Sequence, residues 1–204
     1  MKNIIPHAIT SANLLCGCLA ITQIAEGNFL VASLLVLLGA FFDFFDGLVA
    51  RFLHVQSKLG VQLDSLADMV SFGVVPGMVM FQLLNKSLSP QELGTGFETT
   101  EILKGFEFGM SFVPFIGMII VLASAYRLAK FNIDIRQTEN FIGLPTPANT
   151  LLIISLPLIF QYQYSPLIEH VIFNHWFLIT LTIVSSFLLN AEIKLFSLKF
   201  KTWD

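Results

Sequence analysis

The chain has 204 residues, 55% of them hydrophobic and only 12% charged, and 21 are Phe. A soluble domain carries about a quarter charged residues, so this composition excludes one and indicates an integral membrane protein. The formal net charge of -3 says little about partners, because in such a chain the side of the membrane on which each charge falls matters more than the sum.

Met1 to Pro6 carries one basic residue, Lys2, and the apolar stretch that follows has no small-x-small cleavage site, so a first span is expected there rather than a cleaved leader. Stretches of roughly 17 to 25 mostly apolar residues predict six spans: Ala8–Ala25, Phe29–Leu53, Leu63–Leu84, Phe108–Phe131, Pro147–Tyr164 and Ile168–Leu189. The fold class expected is therefore all-α integral membrane, a single transmembrane domain over residues 1–204. In the first span Cys16 and Cys18 point to different faces of one helix, which rules out a bridge between them and leaves too few thiols for a zinc site. After the third span, Asn85 to Glu107 contains Pro90, Gly94, Gly96 and several charges and reads as an extramembrane loop, with an interfacial helix near its end. Pro145 and Pro147 end a loop and begin the fifth span.

Alternating through six spans puts Lys2, Arg51, Lys58, Arg127, Lys130, Arg136, Lys194, Lys199 and Lys201 on one side, with only Lys86 and Lys104 opposite, out of 11 basic residues. By the positive-inside rule both termini, and the turn between spans two and three, are expected to be cytoplasmic.

That turn carries four aspartates in the run DFFDGLVARFLHVQSKLGVQLDSLAD, from Asp43 to Asp68. A carboxylate within a bilayer costs at least ~2.5 kcal/mol even on lenient insertion scales, so four together require a compensating partner. Residues three or four apart share a helix face. Asp43 and Asp46 therefore project together from the end of span two, and Asp64 and Asp68 from the start of span three. A short connection around Lys58 and Gly60 is expected to reverse the chain and bring the pairs together. Divalent cations such as Mg2+, Mn2+ or Ca2+ relieve the mutual repulsion, and oxygen-only ligation without Cys or His disfavours zinc and copper. Gly47 and Ala50 leave room for a bulky ligand, and the planar fork of Arg51 suits a phosphate. Phe41, Phe42, Phe44 and Phe45 are packing or lipid-facing residues around the acids, and His7, His54, His170 and His175 show no ligand spacing.

The spacing D43-x2-D46-G47-x2-A50-R51-x8-G60-x3-D64-x3-D68 resembles the signature of the CDP-alcohol phosphotransferases, with every specified position filled. ITSANLLCG at Ile9–Gly17, LDSLADMVSFGVVP at Leu63–Pro76, YRLAKFN at Tyr126–Asn132 and FIGLPTPAN at Phe141–Asn149 further resemble phosphatidylserine synthases of the integral-membrane type. The resemblance implies a homodimer of six-helix subunits with an active site at the cytoplasmic margin. It implies a metal-dependent enzyme that transfers the phosphatidyl group of CDP-diacylglycerol to L-serine and releases CMP. Membrane lipids are its surroundings and no nucleic acid is expected as a partner.

Carried over by position, Asp43, Asp46, Asp64 and Asp68 would ligate Mg2+ or Mn2+, with Ca2+ also able to occupy the site, and Asp68 would be the general base. Asp46, Gly47, Ala50, Arg51 and Gly60 would bind CDP-diacylglycerol, with Ser11 and Asn13 either joining them or serving as polar packing residues. Arg127, Lys130 and Arg136 are the candidates for the serine carboxylate. Two alternatives remain at this point. The same chemistry could use glycerol 3-phosphate or inositol (or its phosphate) as acceptor, though RLAKFN and GLPTPAN favour serine. A divalent-cation channel or transporter also uses membrane acids, but would distribute polar residues along a whole path, whereas these acids sit at one end.

Overall fold

A computed structural model describes residues 4–55, 57–88, 112–133 and 141–195. Helix α1 is Ile4–Ala25 and α2 is Phe29–Phe52. A single helical rod, α3, runs from Lys58 to Leu88, and α4 from Val113 to Ile133, its first six residues, Val113–Met118, a tight 3-10 segment with Pro114 near its start. Then come α5 (Thr146–Tyr162), α6 (Pro166–Ile172) and α7 (His175–Asn190). Two residue pairs, Phe141 with Leu195 and Ile142 with Lys194, form a short antiparallel strand contact (β1, β2).

Among the described residues four helices, α1 to α4, are long and apolar enough to cross a membrane, and a fifth if α6 and α7 are one span broken by a 56° bend. Helix α5 has 17 residues, at the lower limit for spanning. The predicted sixth span thus differs from expectation: Asn174 leaves helical geometry and its side chain caps the amides of Trp176 and Phe177 at 2.9 and 3.4 Å, starting a new helix. The third span is longer than predicted at both ends. Ser57 caps it by accepting from the Gly60 amide at 3.0 Å, so Lys58 and Gly60 are helical, and Asn85–Leu88 belongs to the helix rather than to a loop. The predicted interfacial helix and the beginning of the predicted fourth span lie outside the described residues.

The reversal falls instead between Phe52 and Lys58. Helix α2 ends in a Schellman arrangement, with the His54 amide donating to Arg51 O at 3.2 Å and the Val55 amide to Ala50 O at 3.1 Å, while His54 holds the left-handed φ of 53° usually given to glycine.

Burial is arranged as lipid demands. Large apolar side chains such as Leu34, Phe44, Leu122 and Phe187 face outward, while Asn13, Ser71, Ser124, Asn149, Thr150 and Thr182 are buried between helices. Cys16 is buried and Cys18 exposed, both unbridged. Small residues set the closest approaches. A Cβ on Gly117 would lie 2.7 Å from Phe81 N, so α4 meets α3 backbone to backbone, and one on Gly17 would lie 2.5 Å from Ser71 Oγ.

The centre of α3 is distorted for a reason the sequence supplies. Pro76 has no amide hydrogen and its ring clashes with the carbonyl four residues earlier, that of Phe72. The rod widens into a π-helical turn over Met69–Val74, with the Val75 amide donating to Val70 O, and Thr150 Oγ1 of α5 donates to Phe72 O at 3.0 Å. Ser71 Oγ donates to Asn13 O at 3.1 Å, fixing α1 to the same turn. Gly17→Val is expected to lower stability by about 1–3 kcal/mol through overpacking, read as a fall in detergent unfolding midpoint; an unchanged midpoint would show that α1 is not held this closely.

Candidate active site

Asp43 from α2 and Asp64 and Asp68 from α3 come together: one carboxylate oxygen from each lies within 4.8 Å of the others. The fourth, Asp46, is buried and is held by Thr10 of α1, whose Oγ1 donates to Asp46 Oδ2 at 2.5 Å and also lies 3.0 Å from Pro6 O. Convergence follows from the close seating of α1 on α2 at Gly39, where a Cβ would lie 3.0 Å from Asn13 Oδ1, and on α3 at Gly60, where it would lie 3.2 Å from His7 Cε1.

Beside the acids a groove of about 290 Å3 runs between the ends of α1, α2 and α3. Asp46, Gly47, Ala50, Arg51, Gly60 and Asp64 all line it, so the nucleotide-pocket candidates share one surface. Arg51 Nε donates to Gly47 O at 3.0 Å, which lays the guanidinium along the groove over the side-chain-free Gly47. A larger cleft of about 500 Å3 lies among Lys86, Glu169, His170, His175 and Trp176, and holds none of the signature residues.

Not every expected residue joins the groove. Ser11 is exposed and donates to His7 O of its own helix at 2.8 Å. Asn13 is fully buried one turn from Thr10, outside the groove lining. Thr10, which no sequence motif singled out, and His7, which shows no ligand spacing, line the groove instead.

The acceptor candidates lie on the other flank of α3. Ser65 and Asn132 exchange hydrogen bonds at 2.9 and 3.2 Å, and Ser124 approaches Gly73, so α4 runs antiparallel to α3 in a register that sets Arg127 near the height of Asp68 to Val70. Arg127 is buried and donates from Nη1 to Leu189 O at 2.7 Å, at the open carbonyl end of α7. Gly143, at a left-handed φ of 78°, packs against this guanidinium where a Cβ would sit 2.7 Å from Nη1. Lys130 pairs with Glu192 at 3.3 Å in an exposed position. Arg136 lies outside the described residues.

The sequence profile of the CDP-alcohol phosphatidyltransferase family matches residues 3–188. The chain belongs to that family. Among its relatives, the CDP-diacylglycerol-serine O-phosphatidyltransferase of Bacillus subtilis (strain 168) is 34% identical over 170 residues, 81% of this chain and 80% of that protein. The enzyme of the same name from Helicobacter pylori (strain J99) is 30% identical over 151 residues, and that from Saccharomyces cerevisiae 33% over 150. These alignments cover 73% and 69% of this chain but only 55% and 46%, about half, of the two relatives. Family membership and the apolar helices together make this an integral membrane protein.

Within the family frame the new element is Thr10. Replacing it by Val leaves a buried carboxylate without its donor, which at about 1.5–3 kcal/mol for a hydrogen bond to a charged group should weaken CMP retention by the purified protein at least ~10-fold. Thr10→Ser should stay close to wild type; equal retention by the Val variant would remove Thr10 from the site.

Proposed function

We propose that this chain is a CDP-diacylglycerol-serine O-phosphatidyltransferase. The observation that carries the reading is the full eight-residue signature gathered around one groove and one acid cluster, in a chain whose relatives bear that enzyme's name. The signature's spacing is that of a donor site for a cytidine diphosphate, and the outward apolar helix faces leave the diacyl chains in lipid.

The reaction is a substitution at phosphorus. The serine hydroxyl oxygen bonds to the phosphatidyl phosphorus, the bond from that phosphorus to the bridging diphosphate oxygen breaks, and CMP leaves with the electron pair. Asp68 takes the hydroxyl proton as attack proceeds; this requires the carboxylate within hydrogen-bonding reach of the attacking oxygen. Its Oδ1 is buried with no hydrogen-bond partner among the described residues, an acceptor open to a cation or to the serine hydroxyl. Arg51 and the groove position the diphosphate, and Thr10 orients Asp46 toward it. Such positioning supplies much of the rate in phosphoryl transfer.

The donor set suits a hard divalent cation: oxygen ligands only, from three carboxylates closer than like charges tolerate unaided. Asp43, Asp64 and Asp68, with Asp46 beside them, would hold Mg2+ or Mn2+. Bound there, the cation would neutralise charge on the diphosphate and the departing CMP.

The finer architecture belongs to the same reading. Helix α5 and the bent α6–α7 pair complete six spans, both termini and the acid cluster face the cytoplasm, the chain acts as one domain, and two copies form a homodimer. Support for the sidedness is the clustering of Arg51, Lys58, Arg127 and Lys130 at the acid end. Water-soluble serine and CMP then enter and leave from the cytoplasm.

Purified protein with CDP-diacylglycerol and Mg2+ or Mn2+ is expected to release CMP with L-serine, and not with glycerol 3-phosphate or inositol. In the same assay Asp68→Asn should bind CDP-diacylglycerol but lose turnover. No CMP with any acceptor would overturn the enzymatic reading, and near-normal turnover by the Asn variant would overturn the role of Asp68.

A further inference from the structure

The π turn of α3 is flanked by buried polar groups that make no hydrogen bond among the described residues. Asn13 of α1 and Asn149 of α5 are both fully buried, and neither the amide oxygen nor the amide nitrogen of either has a partner. A buried amide left unpaired loses free energy comparable to a broken hydrogen bond, so two whole amides around one turn mark a place for a polar guest.

Asn149 follows, by six residues, the turn at Gly143 that packs on the Arg127 guanidinium. Thr146, Asn149, Thr150 and Ile153 form the buried stripe of α5, and the bond from Thr150 to Phe72 O turns that stripe toward the π turn. Helices α3 and α5 both set out from the acid end, so with Thr150 opposite Phe72, Asn149 stands level with Ser71 and Thr146 level with Asp68. The donor groove lies among the ends of α1, α2 and α3, and Asn149 is not in its lining.

We propose that Asn149 is a specificity-determining residue of the acceptor subsite, its amide oxygen accepting from an ammonium and its amide nitrogen donating to a carboxylate of a small zwitterionic amino alcohol. The inference rests on the acceptor reading given above and deepens it. The chemistry of the Asn149 amide favours such a guest over a phosphate-bearing one. A neutral amide with a donor end and an acceptor end matches a group that carries both charges, whereas a phosphate dianion calls for several cations. Of the two acceptor-side cations, Arg127 donates to Leu189 O and Lys130 pairs with Glu192 at 3.3 Å.

The test uses full-length protein in mixed micelles of detergent and CDP-diacylglycerol, comparing wild type with Asn149→Ala and the isosteric Asn149→Asp. A site built around a hydrogen bond rejects strongly once the bond is removed. The Ala variant should therefore raise KM for L-serine at least ~10-fold and the Asp variant more, by repelling the carboxylate. KM for CDP-diacylglycerol and the unfolding midpoint should stay within about twofold and a few degrees of wild type. Preference for L-serine over ethanolamine, which lacks the carboxylate, should shrink. An unchanged serine KM in the Asp variant, or equal rises in both KM values, would overturn the role of Asn149. Absence of serine-dependent CMP release by wild type would instead overturn the parent reading.

Discussion

Carboxylates that converge inside an apolar bundle repel one another, and the rest of this structure is arranged around making that convergence possible. Three devices act together. Small residues at Gly17, Gly39 and Gly60 let α1 lie close against α2 and α3, Thr10 restrains Asp46, and the Schellman turn at His54 returns the chain so that two helical pairs of acids face one another. The remaining charge suits a divalent cation, which would tie ligand chemistry to the packing of the first three helices.

The same economy explains the π turn. Pro76 breaks the regular ladder two turns beyond Asp68, and the carbonyl it frees, that of Phe72, becomes the anchor for α5 through Thr150. Ser71, within the widened turn, anchors α1. A local defect thereby ties α1 and α5 to one rigid element, one turn beyond Asp68.

Much of this was legible in the sequence because it depends on local periodicity. Apolar runs located the four long helices α1 to α4, and the three- and four-residue spacing of the acids gave their shared faces. Single-span boundaries were less legible: the cap at Ser57 and the break at Asn174 depend on side-chain hydrogen bonds that hydropathy does not register. Ser11 and Thr10 are adjacent in sequence yet on different faces, and the stripe Pro6, Thr10, Asn13, Gly17 and Ala20 was the signal that selects Thr10. Arg127 was correctly set on the acid end, but its bond to the α7 terminus spans 62 residues and no local pattern encodes it.

The central claim is that Asp43, Asp64 and Asp68 form one divalent-cation site shared between α2 and α3. Electron paramagnetic resonance of Mn2+ titrated into the purified protein tests it directly. Wild type is expected to immobilise Mn2+, with CMP sharpening the effect, and Asp43→Asn, Asp64→Asn and Asp68→Asn each to weaken it at least ~10-fold, as loss of a charged ligand would. Mn2+ held equally well by the variant carrying all three substitutions would contradict it.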